Sequence, residues 1–224
     1  MSVYMTEEEQ LESIKKWWKQ YGNLITIVLS LILFGIAGYR YLHWHQEKLT
    51  QQASIAYEHM MVALSNHNIK AVRSYANELI HEHSGSVYAD VAHMTLAKIY
   101  VSKNNLNKAT QELQSVASNS QMLALKQIAK IRIARIYAAE KSYANALKEL
   151  GSIDDNTYLP VINELKGDIY GATGQYQEAI NSYKLALDEV KTNGMGNLFL
   201  EMKTNEITSK SHSMISGDKK VRSA

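Results

Sequence analysis

The sequence predicts an all-α protein: a single N-terminal transmembrane helix followed by an α-solenoid of helical hairpins. Three observations predict it. The chain has 224 residues with one proline and 11 glycines, too little turn punctuation for a sheet fold. The stretch LITIVLSLILFGIAGY, residues 24–39, carries no charged side chain. Beyond it, small and aromatic residues recur at helical spacing in units about as long as stacked helical repeats.

Composition narrows the function before any motif is read. The net charge of +2 is too small for a nucleic-acid binder, and the lysines and arginines form no basic stripe interleaved with aromatic rings. The absence of cysteine removes disulfides, thiolate nucleophiles and cysteine-ligated metals. It is compatible with an oxidising compartment, which does not require disulfides. About 180 residues lie beyond the apolar run, enough for one domain with its own core.

Residues 1–23 open acidic with Glu7, Glu8, Glu9 and Glu12, then turn basic with Lys15, Lys16 and Lys19. Thr6 followed by Glu9 has the form of a capping box, and Leu11, Ile14, Trp17, Trp18 and Tyr21 recur at helical spacing. This segment reads as a short helix lying along the membrane surface on the cytoplasmic side. The transmembrane helix is read as residues 24–42, with Leu24, Ile27, Leu31, Phe34 and Tyr39 inside it. It would be about 28 Å long at about 1.5 Å per residue, close to a hydrocarbon core of about 30 Å. Trp17 and Trp18 before it, and Tyr41 and Trp44 after it, are placed as interface anchors in the two headgroup layers of the lipid bilayer. Two other readings are a buried core helix and a cleaved signal peptide. The bulky RYLHWHQEK that follows offers no small-residue cleavage site. Lys15, Lys16 and Lys19 precede the span, and Arg40 and Lys48 follow it; this asymmetry puts the N-terminus in the cytoplasm and the C-terminal domain outside.

The repeat domain is read as residues 43–207, with no Gly/Ser linker after the span. Its clearest unit is LKGDIYGATGQYQEAINSYKLAL. There Gly167 and Tyr170 share one helix, Gly174 marks the turn, and Ala179, Tyr183 and Ala186 lie on the next helix. Small residues let paired helices cross closely, here Gly167 against Ala179, and tyrosines fill the space beside the crossing. Ala134, Tyr137 and Ala146 repeat the pattern 33 residues upstream, and Ala97, Tyr100 and Ala109 lie 37 residues before those. Met60, Ala63, Ile69, Val72 and Ala76 form a degenerate first copy. The order small–aromatic–turn–small–aromatic–small resembles the tetratricopeptide repeat; a generic helical-hairpin bundle is the alternative. Leu198, Phe199, Met202 and Ile207 are expected to cover the open end, as solenoids require. Residues 208–224 are polar and are expected to be disordered.

No catalytic constellation stands out. His43 with His45, and His81 with His83, are two apart and point to opposite sides of a helix, so neither pair shares a metal easily. Asp154 and Asp155 fall in an inter-repeat turn, where Asp is favoured for local backbone bonds. The glycines at 167, 171 and 174 follow no strand and are not a phosphate loop. No metal and no cofactor are expected, and the protein reads as a non-enzyme. A solenoid does offer a groove lined by the first helix of each unit. In this register the candidate protein-binding residues are Met94, Lys98 and Val101, then Ile131 and Arg135, then Glu164 and Asp168. Mixed apolar and charged lining suits a polypeptide better than a small metabolite; ordinary helix surface is the alternative.

Taken together, the acidic start, ESIKKWWKQYGN, a span ending GYRYLHWHQ, and units with IRIARIY and LKGDIY resemble the YfgM family of ancillary SecYEG translocon subunits. The resemblance implies a protein of the bacterial cell inner membrane with a tetratricopeptide-like periplasmic domain. It also implies association with SecYEG and with the periplasmic folding factor PpiD, assisting nascent secreted polypeptides. It supplies no catalytic residues. A scaffold for another cell-envelope assembly complex is the competing reading, and an enzyme with an unrecognised site is a third.

Overall fold

The computed structural model describes residues 7–192 and 197–222. The chain forms two compact units, Met1–Gln52 and Ala53–Ala224, and no strand occurs among the described residues.

The first unit is made by helix α1, Glu7–Ser65, whose last residues belong to the second unit. Thr6, the expected cap, lies outside the described residues. Every described side chain from 26 to 41 is exposed, Phe34 to 78 % and Leu31 to 67 %. Among the described residues, no single helix is long and apolar enough to cross a membrane. Lys15–Leu24 and Thr26–Tyr41, bent by 41° where they meet, satisfy length and composition only as a pair. The single membrane-spanning helix expected over residues 24–42 is therefore matched only by this bent pair. A local cause sits at the bend. Thr26 Oγ1 donates to the carbonyls of Gly22 and Asn23 at 3.0 and 2.9 Å, the kind of hydroxyl back-bonding that bends helices.

The second unit begins with the end of α1 and continues through α2 (Ile69–Glu82), α3 (Val87–Ser102), α4 (Leu106–Asn119) and α5 (Leu123–Ala139). Then come α6 (Tyr143–Leu150), a 3₁₀ turn (Asn156–Tyr158), α7 (Leu159–Ala172), α8 (Tyr176–Thr192) and α9 (Leu198–Arg222). One turn joins each hairpin. His67, Asn104, Lys141 and Gly174 take positive φ of 56°, 55°, 60° and 77°. After each, the amide of the next residue reaches back five positions: Asn68 to Ala63, Asn105 to Tyr100, Ser142 to Tyr137 and Gln175 to Tyr170, at 2.8–2.9 Å. The left-handed residue also donates three positions back in each case, as His67 does to Leu64. These paired bonds satisfy the last carbonyls of each first helix. Asn68 and Asn105 then accept from the amides of Ala71 and Lys108 and cap the second helices.

The core is a series rather than a ball. Met60, Val72, Leu79 and Leu96 meet between α1, α2 and α3. Ala97, Leu113, Val116 and Ile133 meet between α3, α4 and α5. Ala134, Leu150, Ile162 and Ile169 join α5, α6 and α7; Tyr183, Ala186, Leu200 and Ile207 join α8 and α9. Helices α3, α5 and α7 each give residues to the clusters on both sides of them, which is how stacked repeats bury a continuous core.

Two expectations about the end of the chain are corrected. Leu198, Phe199 and Met202 do not cover the last repeat; they are 60–72 % exposed, while Leu200, Thr204 and Ile207 are buried. The latter set follows the helical i, i+4, i+7 spacing that fits one packing face. Nor does order stop at Ile207: α9 continues to Arg222. Within it Thr208 donates to the Thr204 carbonyl at 2.7 Å and Ser209 to the Asn205 carbonyl at 3.0 Å. Lys210 pairs with Glu206 one turn away at 2.6 Å. The break expected at TNGMG falls mostly on 193–196, outside the described residues.

Candidate protein-interaction groove

A groove of about 440 Å³ opens between α3 and α5 above the α4 hairpin. Ala97, Leu113 and Ile136 form its floor and are buried. Met94, Val101 and Leu106 form apolar walls, and Val101 stays 45 % exposed at the rim. Three cations, Lys98, Arg132 and Arg135, complete the lining, and no acidic side chain does. Their placement follows from helix geometry: 94, 98 and 101 lie along one face of α3, and 132, 135, 136 and 139 along one face of α5. Burial of its guanidinium, and then the neighbouring Arg135 charge, hold Arg132 below the ordinary arginine value.

Of the residues expected to line a groove, four meet here: Met94, Lys98, Val101 and Arg135. Ile131 does not; it is 5 % exposed, packed inside the domain. Its position one residue before Arg132 turns it inward on α5, a 100° offset that decides between groove and core. Arg132 was not singled out by the repeat register, though three-residue spacing to Arg135 marks it.

Glu164 and Asp168 belong to a separate site, closed by the chain itself. Lys203 of α9 donates to Glu164 at 2.9 Å and to both oxygens of Asp168 at 2.8 and 2.9 Å. Tyr183 Oη also donates to Asp168, at 2.7 Å. Burial, then the Asp168 bond, push the Tyr183 hydroxyl far above its ordinary range. Burial works against the Lys203 charge, but its bonds to Asp168 and Glu164 outweigh it and raise its pKa. These two carboxylates are therefore engaged by α9 rather than free in an open groove. Sequence reasoning could not see this, because Lys203 lies 39 and 35 residues from its partners.

The packing residues are placed as follows. Ala97, Ala109, Ala134, Ala146, Ala179 and Ala186 are all buried, and Tyr183 is 3 % exposed. Tyr100, Tyr137 and Tyr170 are half-buried beside them. A Cβ on Gly167 would meet the Tyr183 ring at 2.5 Å, so the close approach there is to that ring rather than to Ala179. The anchor candidates Trp17, Trp18, Tyr41 and Trp44 are 52–64 % exposed, as are Leu24 and Ile27 at about the same level, and Tyr39 at 70 %.

Two polar links also escaped sequence reading. His93 Nδ1 and Glu112 Oε2 lie 2.7 Å apart across α3 and α4, and Ser120 donates to the buried Asp90 carboxylate at 2.6 Å. Asp155 accepts from the Thr157 amide at 2.9 Å and starts the 3₁₀ turn; bonds from Thr157 lower its pKa. Among the described residues, no three His, Cys, Asp or Glu side chains stand together as a metal site.

Serial helical hairpins beside an open, partly apolar groove define a class of fold, the helical-repeat modules. Residues 15–209 match the tetratricopeptide repeat-like domain family, and the chain belongs to it. Relatives that carry the name "Ancillary SecYEG translocon subunit" align along most of the chain. The Escherichia coli protein is 26 % identical over 93 % of this chain and 100 % of its own length. The Neisseria gonorrhoeae protein is 25 % identical over 92 % and 100 %, and the Aggregatibacter actinomycetemcomitans protein 28 % identical over 83 % and 91 %. The resemblance stated from the sequence motifs is thus borne out. No solved structure matches the chain significantly.

Proposed function

We propose that this protein is a non-enzymatic, membrane-anchored ancillary subunit of the SecYEG translocon. The observation that carries the reading is the shared name of relatives aligned along nearly their whole length. The anchor is the apolar part of α1, residues 24–42. A helix segment that is apolar all round, with every described side chain exposed, needs a nonpolar environment, and a bilayer supplies it. Trp17, Trp18, Tyr41 and Trp44 serve as the interfacial rings at its ends. The protein sits in the bacterial inner membrane with its N-terminus cytoplasmic and its repeat domain periplasmic. There the groove containing Met94, Lys98, Val101 and Arg135 contacts polypeptide, either PpiD or a secreted chain leaving the translocon.

The experiment is site-specific photocrosslinking in intact cells from a photoreactive residue at Arg135. Recovery of translocon subunits or PpiD supports the reading. Consistent recovery of a different envelope complex, with neither of these present, overturns it.

A further inference from the structure

We propose that the groove between α3 and α5 binds an extended peptide segment in which apolar side chains alternate with carboxylates. Lys98, Arg132 and Arg135 hold the carboxylates, and the floor of Ala97, Leu113 and Ile136 takes the apolar side chains. This rests on the interaction role proposed above and adds the chemistry of the ligand.

Charge complementarity selects the occupant. Three cations converge on one groove whose lining has no acid, although the whole chain carries a net charge of only +2. Among the described residues, none of the three makes an ion pair, whereas Lys203 and Lys210 both find carboxylates. Arg132 and Arg135 repel each other, and an incoming anion relieves that repulsion. Guanidinium groups match carboxylates through two parallel hydrogen bonds. The rest of the lining is apolar, so a bare anion would leave the floor unfilled. A volume of about 440 Å³ falls in the roughly 300–1,000 Å³ range of ligand sites. The exposed rim at Val101, Lys98 and Arg135 leaves the groove open to a chain that passes through rather than a molecule that is enclosed.

The test uses the full chain in phosphatidylcholine nanodiscs, with empty nanodiscs as the blank. Fluorescence anisotropy is read for a labelled eight-residue peptide alternating glutamate with leucine. Binding is expected to weaken at least ten-fold when glutamate is replaced by glutamine, and again when leucine is replaced by serine. The double variant Arg132→Gln/Arg135→Gln should lose at least ten-fold, with unchanged helicity by circular dichroism, while Lys184→Gln binds as the parent does. Equal binding of the glutamine peptide, equal binding of the serine peptide, or an unaffected double variant would each overturn the proposal. So would a groove that ignores the peptide and takes phosphatidylglycerol vesicles in an Arg135-dependent way. Loss of peptide binding with translocon association intact rejects this site alone. Peptide binding without translocon association rejects the functional reading instead.

Discussion

Gly167 lies directly beneath the ring of Tyr183, so that a Cβ there would sit 2.5 Å from Tyr183 Cε1. The tyrosine is held in place from its other end, where its hydroxyl donates to Asp168. Helix propensity alone would make Gly167→Ala stabilising by about 0.5–1 kcal/mol. Overpacking against a fixed ring costs about 1–3 kcal/mol, so the net effect is a lower Tm. Thermal unfolding of Gly167→Ala, compared with Gly167→Ala/Tyr183→Leu, checks this: the second change should recover part of the loss.

The four hairpin turns make a second prediction. Lys141 holds φ at +60° without being glycine, a conformation that costs an ordinary residue roughly 1 kcal/mol. Lys141→Gly should therefore raise stability, by no more than about 1 kcal/mol because glycine's greater backbone entropy in the unfolded chain offsets part of the relief. Asn104→Gly should gain less, because Asn tolerates this region. Denaturant midpoints of the two variants give the comparison.

Leu113 is 2 % exposed where α3, α4 and α5 meet, beneath the groove. Leu113→Ala should cost about 2–5 kcal/mol, from lost burial plus the cavity left behind. Equilibrium unfolding in urea would show it as a lower midpoint.

The Lys203 cluster makes stability depend on alkaline pH. Its folded pKa lies above the ordinary lysine value of 10.5, so its contribution is complete below that value and is lost as pH rises through the folded one. Tyr183, also raised, acts in the same direction. Lys203→Met should lower Tm at neutral pH by an amount matching about 1 kcal/mol, since the ion pairs are partly solvated. The gap between the parent and the variant should narrow as pH is raised above about 10. A gap that stays constant would remove the charge from the explanation.

Orientation has its own readout. A reporter enzyme that works only in the periplasm, fused after Ala224, should be active, and one that works only in the cytoplasm should not.

How much of this was legible in the sequence depended on how local the cause was. The hairpin order was readable because small and aromatic residues at Ala97, Tyr100, Ala134 and Tyr137 record helix crossings within one repeat. The turns were legible as polar corners, and Gly174, Asn104 and His67 are residue types that tolerate a positive φ; Lys141 adopts the same geometry without that preference. Half of the groove followed from register at Met94, Lys98 and Arg135. The Lys203 bridge did not, because α9 returns over α7 from another part of the chain. Phe199 and Leu200 illustrate the limit: neighbours with similar hydropathy, one 62 % exposed and one 1 %. Only the partner surface distinguishes them.

The central claim is association with the translocon through an anchored repeat domain. Its most direct test is purification of the full chain from its own membranes in mild detergent, followed by mass spectrometry of what accompanies it. SecYEG subunits should be recovered in stable proportion to the chain. Their consistent absence, with another envelope complex recovered in their place, would contradict the account.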